Sequence, residues 1–329
     1  MDKKLELKIA LQKELKRIRS HKRTYNCLIP DCPNVATTTS HVLQQSVVLE
    51  SILDDTGHFY TIRQNDLFKM SQEGPFRFER ASLSNSFKFP LYCKSHDDEI
   101  FSAIEKAHPI NWGKRQNALL QTYRTICMEL RKKEIYVDII ESIAENRKEI
   151  LGTVDYFDLR PALLSIRDKK FFKSEIEKEI FEDDANRFNI RVRHLKKREI
   201  CFSSAISIHD PDNPNTHEHD QYGYTKEEPI TSTFLNFFPY ADQSILIVVQ
   251  HIDHPCTWTK SLISQIGKTK LYDKILSDLL TYRIEEWAIS TKMYNNLRED
   301  KKRQFLAESE NYTDYYEDEL DTSFNLFEN

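Results

Sequence analysis

The side chains best suited to chemistry in this sequence are two close pairs of metal ligands. Cys27 and Cys32 are separated by four residues, and nearby prolines favour a turn. Cys93 and His96 are separated by two residues, just ahead of a predicted helix. Zinc binds four such ligands in a tetrahedron, which leaves it no open position for catalysis. We therefore predict a structural Zn²⁺ site formed by these four residues; the alternative is ordinary burial, because free cysteine packs like a small hydrophobe.

A histidine follows the first cysteine pair. His41 lies nine residues after Cys32, and the second ligand pair begins downstream at Cys93. This layout resembles the His-Asn-His (HNH) endonuclease module, a treble-clef zinc-binding version of the ββα-metal fold. The resemblance gives His41 the place of the first catalytic histidine. It makes His96 the counterpart of a zinc cysteine, and Asp97 the counterpart of the metal-binding second histidine.

The strings SH at 40–41, FPLYC at 89–93 and HDDEIFSAIE at 96–105 carry a closer resemblance. They are similar to a set of largely uncharacterised bacterial proteins suspected of belonging to phage-defence systems. The resemblance covers residues 24–110. The nearest candidate for the middle asparagine of the HNH family is Asn85, and an aspartate replaces the final histidine.

The resemblance implies a metal-dependent endonuclease that hydrolyses phosphodiester bonds of DNA or RNA. His41 would be the general base, because a neutral imidazole accepts a proton near neutral pH. Asp97 would hold a catalytic Mg²⁺ or Mn²⁺, since such hard cations prefer oxygen ligands. Asp98 is either a helper or a helix N-terminal residue. The alternative is a non-catalytic zinc-stapled binding or sensor protein that acts through its C-terminal half.

The composition argues against several other classes of protein. The chain has 329 residues, a net charge of −5 and six glycines, and neither glycine-rich nucleotide-binding pattern occurs. The longest clean apolar run is Ile245–Val249, far short of the roughly 20 residues that a membrane-spanning helix needs. The N-terminus lacks a signal-peptide core, and the cysteine spacing is unlike a secreted disulfide scaffold. We expect a cytoplasmic protein with no membrane partner.

The predicted elements indicate an α+β fold. Helical periodicity covers 3–20, 44–53, 115–150 and 157–187, and helices are expected again from Thr257 to about Leu306. Alternating or β-branched segments predict strands at 58–63, 76–92, 190–208 and 231–252. We expect an N-terminal zinc-binding ββα/treble-clef-like module, a helical middle and a mixed sheet-and-helix C-terminal region. The predicted boundaries are a basic helix (1–23), an HNH-like zinc module (24–110), a helical region (111–188), an α+β domain (189–307) and an acidic tail (308–329).

Charge is distributed unevenly along the chain. Residues 1–26 carry a charge of +6 and could contact phosphates or form a solvated face. Residues 308–329 hold eight acidic residues, no Lys or Arg, and several aromatic residues, so we expect part of this tail to dock on the body. A docked acidic tail could cover a basic nucleic-acid surface, a hypothesis that rests on the charge asymmetry alone. The basic stretch 187–198 could bind a phosphate backbone or face the preceding acidic helix. The C-terminal region could also bind a protein partner or a trigger.

Three weaker candidates remain. One is the loop segment 209–220, which is rich in His and Asp and could bind a metal or be an ordinary polar loop. A second is the strand exit at His251, Asp253 and His254. The third is a structural charge pair between Arg124 and Glu129 on one helix.

Overall fold

The protein has an α+β fold, seen in a computed structural model. The structure describes residues 3–20, 23–37, 40–44, 48–66, 69–83, 86–106, 109–147, 159–182, 186–207, 229–310 and 320–328. None of the helices within these ranges is both long and apolar enough to cross a membrane. Asn85 and the segment 209–220 lie outside the described residues.

The helices and strands alternate irregularly along the chain. The helices are α1 (Lys3–Ser20), α2 (Met70–Glu73), α3 (Lys94–Ile100), α4 (Ser102–Glu105), α5 (Arg115–Asn146), α6 (Arg160–Phe181), α7 (Thr257–Gln265), α8 (Tyr272–Asp278), α9 (Thr291–Asn295) and α10 (Glu299–Glu310). The strands are β1 (Ser40–His41), β2 (His58–Gln64), β3 (Phe76–Ser82), β4 (Lys88–Phe89), β5 (Phe188–Lys196), β6 (Ile200–Ile206), β7 (Thr233–Tyr240), β8 (Gln243–His251) and β9 (Trp287–Ile289).

Seven of these strands form one sheet in the order β3-β2-β9-β6-β7-β8-β5, and each neighbouring pair is antiparallel. Strands β1 and β4 form a separate two-stranded antiparallel sheet. In the large sheet, Tyr60 of β2 lies opposite Ile289 of β9. The sheet therefore contains strands from the segment 24–110 and from the segment 189–307.

Both faces of the sheet are covered. Along β8, Ile245 and Ile247 belong to one hydrophobic cluster, and Leu246 and Val248 belong to another. Because successive side chains of a strand point to opposite faces, these clusters lie on the two sides of the sheet. The first contains side chains of α5, of α6 and of the segments around Cys27 and Cys93, here called the cysteine-rich segments. The second contains side chains of α7 to α10. Burial on both faces explains the continuous apolar run in β8.

The centre of the molecule is the first half of α5, where residues 117–131 are all buried. A surface helix would bury one stripe only. Polar residues of this segment bond to the sheet: Gln121 Nε2 donates to Asn236 Oδ1 at 3.0 Å, and Thr125 Oγ1 donates to the same oxygen at 3.0 Å. These bonds fix the position of α5 along the sheet, which matters because α5 also carries a charged residue of the candidate site.

Several details differ from the expectations. The described part of the predicted helix 44–53 contains a short 3-10 turn, Glu50–Ile52. Strand β9 interrupts the region predicted as helices from Thr257 to Leu306. The expected docking of the acidic tail is confirmed at its end, where Phe324 and Leu326 are buried in the second cluster.

Candidate metal centre

The first ligand pair lies in a tight hairpin. Cys27 N donates to Asn34 O at 2.9 Å, and Cys32 N donates to Ile29 O at 3.3 Å. Between the two cysteines, Asp31 adopts a left-handed backbone conformation with φ of 57°, which aspartate tolerates better than most residues. The hairpin folds the four-residue spacer back so that both thiols point to one side.

The second ligand pair lies at the start of α3. Cys93 is the N-cap residue of this helix, and His96 lies in its first turn. A backbone bond from Leu28 N to Leu91 O, 2.9 Å long, joins the hairpin to the segment that leads into the helix. Residues three apart on a helix share one face, so the helix directs both ligands toward the hairpin.

The four ligand atoms converge. Cys27 Sγ lies 3.5 Å from His96 Nδ1, Cys93 Sγ lies 3.4 Å from the same nitrogen, and the sulfurs of Cys32 and Cys93 are 3.9 Å apart. All four atoms lie within 4.8 Å of one another. A zinc tetrahedron with bonds of ~2.0–2.3 Å has edges of about 3.5–3.8 Å. The four predicted residues could therefore hold a metal ion, in agreement with a structural zinc site, and elsewhere in the described ranges no other such group occurs.

The environment favours a thiolate at one of the cysteines. A hydrogen bond from the Ser95 hydroxyl, 3.4 Å from Cys93 Sγ, lowers the pKa of the Cys93 thiol to about 6. Burial raises the pKa of the Cys27 thiol to about 11. Because cysteine binds metals as the thiolate, metal binding must displace the Cys27 proton.

Backbone pairing with β4 fixes the position of His41. It lies opposite Lys88 in the β1–β4 sheet, and the next residue, Val42, donates its N–H to Phe87 O at 3.0 Å. Gln121 of α5 donates to Val42 O at 2.9 Å. The Nε2 atom of His41 is buried and has no hydrogen-bond partner among the described residues.

A buried arginine is paired with the predicted carboxylate and acts electrostatically on this histidine. Arg124 of α5 is 2% exposed, and its Nη2 lies 3.3 Å from Asp97 Oδ1. Its Nη1 donates to Glu105, and its guanidinium carbon lies 4.1 Å from the centre of the Phe101 ring. The charge of Arg124 also lowers the pKa of His41. His41 and Asp97 therefore both lie within the electrostatic range of one cation.

The predicted pair between Arg124 and Glu129 is wrong. Residues five apart on an α-helix point about 140° away from each other. Glu129 lies 3.6 Å from Lys132 instead, whereas Arg124 reaches across to two other helices. Sequence reasoning missed Glu105 as a partner of Arg124, because the pair is separated by a loop and no local spacing signals it.

The pKa of His41 gives a pH-dependent prediction. Burial, followed by the positive charges of Lys88 and Arg124, lowers this pKa from 6.5 to about 4. The unfolded chain therefore binds a proton more readily, so stability from neutral His41 is complete above pH 6.5 and is lost as the pH falls toward 4. We expect the free energy of unfolding to fall by roughly 1 kcal/mol more in wild type than in His41→Gln between pH 7 and pH 5.

This comparison is made by urea unfolding at the two pH values. Both proteins keep the four metal ligands, so metal release affects them equally. An equal loss of stability in both proteins would show that His41 titrates normally.

Two of the remaining candidates, His251 and Asp98, have partners within the fold. His251 Nδ1 accepts the backbone N–H of Asp253 at 3.2 Å, and its Nε2 lies 3.4 Å from Glu175 Oε2. Asp98 forms an exposed ion pair with Lys94 at 2.9 Å. These contacts satisfy both groups within the fold.

The structure thus joins the four predicted metal ligands and places Arg124 near both His41 and Asp97. No protein-family profile, curated protein or solved structure matches the chain.

Proposed function

We propose that this protein is a metal-dependent endonuclease that hydrolyses phosphodiester bonds of DNA or RNA, in the manner of an HNH module. The observation that carries the proposal is the unpartnered Nε2 of His41, buried near a charged cluster. Buried polar atoms are usually hydrogen-bonded, and an attacking water would supply the partner that this nitrogen lacks. A neutral imidazole at this position suits a general base that takes a proton from an attacking water.

The surrounding elements support this assignment. The order of β1, β4 and α3 is strand, strand, helix, with His41 on the first strand and Asp97 in the first turn of the helix. The metal-ligand pairs join the hairpin at Cys27 to the start of the helix, so a structural zinc would fix the helix near His41. In the proposal, Asp97 helps to hold a Mg²⁺ or Mn²⁺ ion, which would stabilise the charge that develops on the phosphate.

One observation favours a second candidate, a zinc-stapled binding or sensor protein without catalysis. The carboxylates of Asp97 and Glu105 are already paired with the buried guanidinium of Arg124. A divalent cation would have to share these carboxylates with an arginine. In this second candidate the ion pairs are structural, and the C-terminal half carries the function.

A histidine substitution tests the proposal. We expect His41→Ala to lower the rate of cleavage about 10²–10⁴-fold, the range that general acid–base catalysis contributes. The zinc content and the circular dichroism spectrum should stay unchanged, because His41 is outside the ligand group. Cleavage of DNA and RNA is measured with Mg²⁺ and with Mn²⁺, and His58→Ala serves as the histidine control.

The results of these measurements distinguish the nuclease from the binding or sensor protein. Loss of zinc in His41→Ala would make His41 a zinc ligand and remove its catalytic role. Absence of cleavage by wild type with either ion and either nucleic acid favours the second candidate. Binding of Mn²⁺, followed by electron paramagnetic resonance, should weaken in Asp97→Asn if Asp97 is a ligand of the catalytic ion.

A further inference from the structure

One of the two terminal strands of the seven-stranded sheet is β5, which pairs only with β8 among the described residues, and its exposed side chains carry unbalanced positive charge. Arg191, Arg193 and Lys196 are exposed on this strand. We propose that the β5 edge binds the phosphate backbone of the nucleic acid, at a surface on the opposite end of the sheet from β2 and β3. This inference rests on the proposed function, because it assigns the surface that holds the substrate of that activity.

The basic stretch 187–198 divides into paired ends and an unpaired middle. Arg187 forms an ion pair with Glu175 of the acidic helix α6, and Arg198 lies 2.7 Å from Asp273. In the described part of the chain, Arg191, Arg193 and Lys196 form no ion pair. The acidic helix therefore neutralises only the start of the stretch.

The turns at the two ends of β8 contain the aspartates Asp242 and Asp253. Neither is ion-paired to the β5 side chains within the described ranges. Surface arginines without a carboxylate partner keep their full charge for an external ligand. On a protein with a net charge of −5, such a row is a local exception to the overall repulsion of polyanions.

The geometry of the strand suits an extended polyanion. Arg191 lies opposite Val248 and Arg193 lies opposite Leu246, so both arginines project from the same face. Alternate residues on a strand are about 7 Å apart, which sets two guanidinium groups in a row along the edge. Guanidinium groups bind phosphate oxygens in a bidentate manner. Outward backbone N–H groups of an edge strand add donors that phosphate can accept from.

The positive row continues past the end of β5. Tyr272 OH donates to Lys196 O at 2.8 Å, and Tyr272 N donates to Lys268 O at 3.0 Å. These bonds attach the turn that contains Lys268 and Lys270 to the end of the strand, and both lysines are exposed. Exposed cations are therefore present both on β5 and on the turn that is attached to its end.

The composition of this surface favours nucleic acid over a membrane or a peptide. The large apolar side chains that are exposed in the described residues are Val35, Leu163, Phe181 and Ile252, and none of them lies on β5. A membrane-binding surface needs apolar side chains to insert, and peptide recognition at a sheet edge uses pockets for alternate side chains. Binding to a phosphate backbone requires only the cations.

The test is a double charge reversal, Arg191→Glu with Arg193→Glu, in the full chain. The matched control is Lys260→Glu with Lys292→Glu, which changes the net charge equally at exposed positions of α7 and α9. Binding of labelled DNA and RNA oligonucleotides is followed by fluorescence anisotropy, with Mg²⁺ and Mn²⁺ omitted to prevent cleavage. We expect the β5 variant to raise the Kd at least about tenfold at ~0.15 M salt, and the control to leave it within twofold of wild type.

The salt dependence gives a second readout. The slope of log K against log salt is negative, and each lost phosphate contact makes it shallower by about 0.7–0.9. The loss of two contacts therefore predicts a slope that is smaller in magnitude by about 1.4–1.8. Equal weakening in both variants, or no weakening in either, overturns the surface while cleavage by wild type still supports the nuclease. Weakening by the β5 variant alone, in a protein that cleaves nothing, supports the surface and overturns the nuclease. No binding by wild type overturns the surface.

Discussion

If the four-residue group holds the proposed structural zinc, Cys93→Ser is expected to lose that zinc and to lower the melting temperature by about 10 °C or more. Cys93 Sγ lies within 4 Å of both Cys32 Sγ and His96 Nδ1, so its loss opens the tetrahedron between hairpin and helix. Structural zinc sites contribute apparent binding free energies of about 10–16 kcal/mol in small domains, and a loss of several kcal/mol shifts the melting temperature by this amount in a chain of this size. Zinc per chain is measured by plasma mass spectrometry, and melting by calorimetry.

The control is Cys201→Ser. Cys201 is fully buried in the sheet but lies outside the ligand group. It should keep one zinc per chain, even if the buried hydroxyl lowers the stability. If Cys93→Ser retained a full zinc complement, or if wild type contained none, the metal centre would be disproved.

Arg124→Leu is expected to lower the free energy of unfolding by about 3 kcal/mol, because breaking a buried ion pair leaves its partner charges uncompensated. Arg124 is 2% exposed and pairs with two partly buried carboxylates, those of Asp97 and Glu105. The substitution also removes the contact between the guanidinium and the Phe101 ring. Denaturation by urea measures the change.

Two further variants serve as comparisons for Arg124→Leu. Arg124→Lys keeps the charge but cannot present a planar fork to two carboxylates, so its loss should be smaller. Arg298→Leu removes an exposed pair with Asp300 and should cost less than about 1 kcal/mol. A change below 1 kcal/mol in Arg124→Leu would mean that the cluster is solvated.

The pKa of His41, followed by NMR, should rise once this nearby cation is removed.

The group of four possible metal ligands could be predicted from the sequence because each ligand pair has a local geometry. The spacing of Cys27 and Cys32 fits a hairpin, and the spacing of Cys93 and His96 fits a helical turn, so each pair carries its own signal. Only the close approach of the two ligand pairs to each other depends on the tertiary fold. The environment of His41 had no such signal, because the charge of Arg124, which lowers its pKa, belongs to a helix residue more than 80 positions later.

Elements that depend on distant partners were harder to predict. Strand β9 has only three residues, Trp287–Ile289, too few for a periodicity, yet it lies between β2 and β6 in the sheet. Its strand state depends on pairing with both neighbours. Similarly, the sequence of α5 predicts its helix but not burial on all sides, which depends on the sheet, α6 and the cysteine-rich segments packing around it.

The pairing of β2 with β9 has a consequence for biosynthesis. The ribosome makes Tyr60 long before Ile289, its partner across the sheet. Until that late tripeptide emerges, the edge of β2 that faces away from β3 lacks its native partner β9. Unpaired strand edges favour aggregation. The native sheet can therefore close between β2 and β6 only after Trp287–Ile289 has been translated.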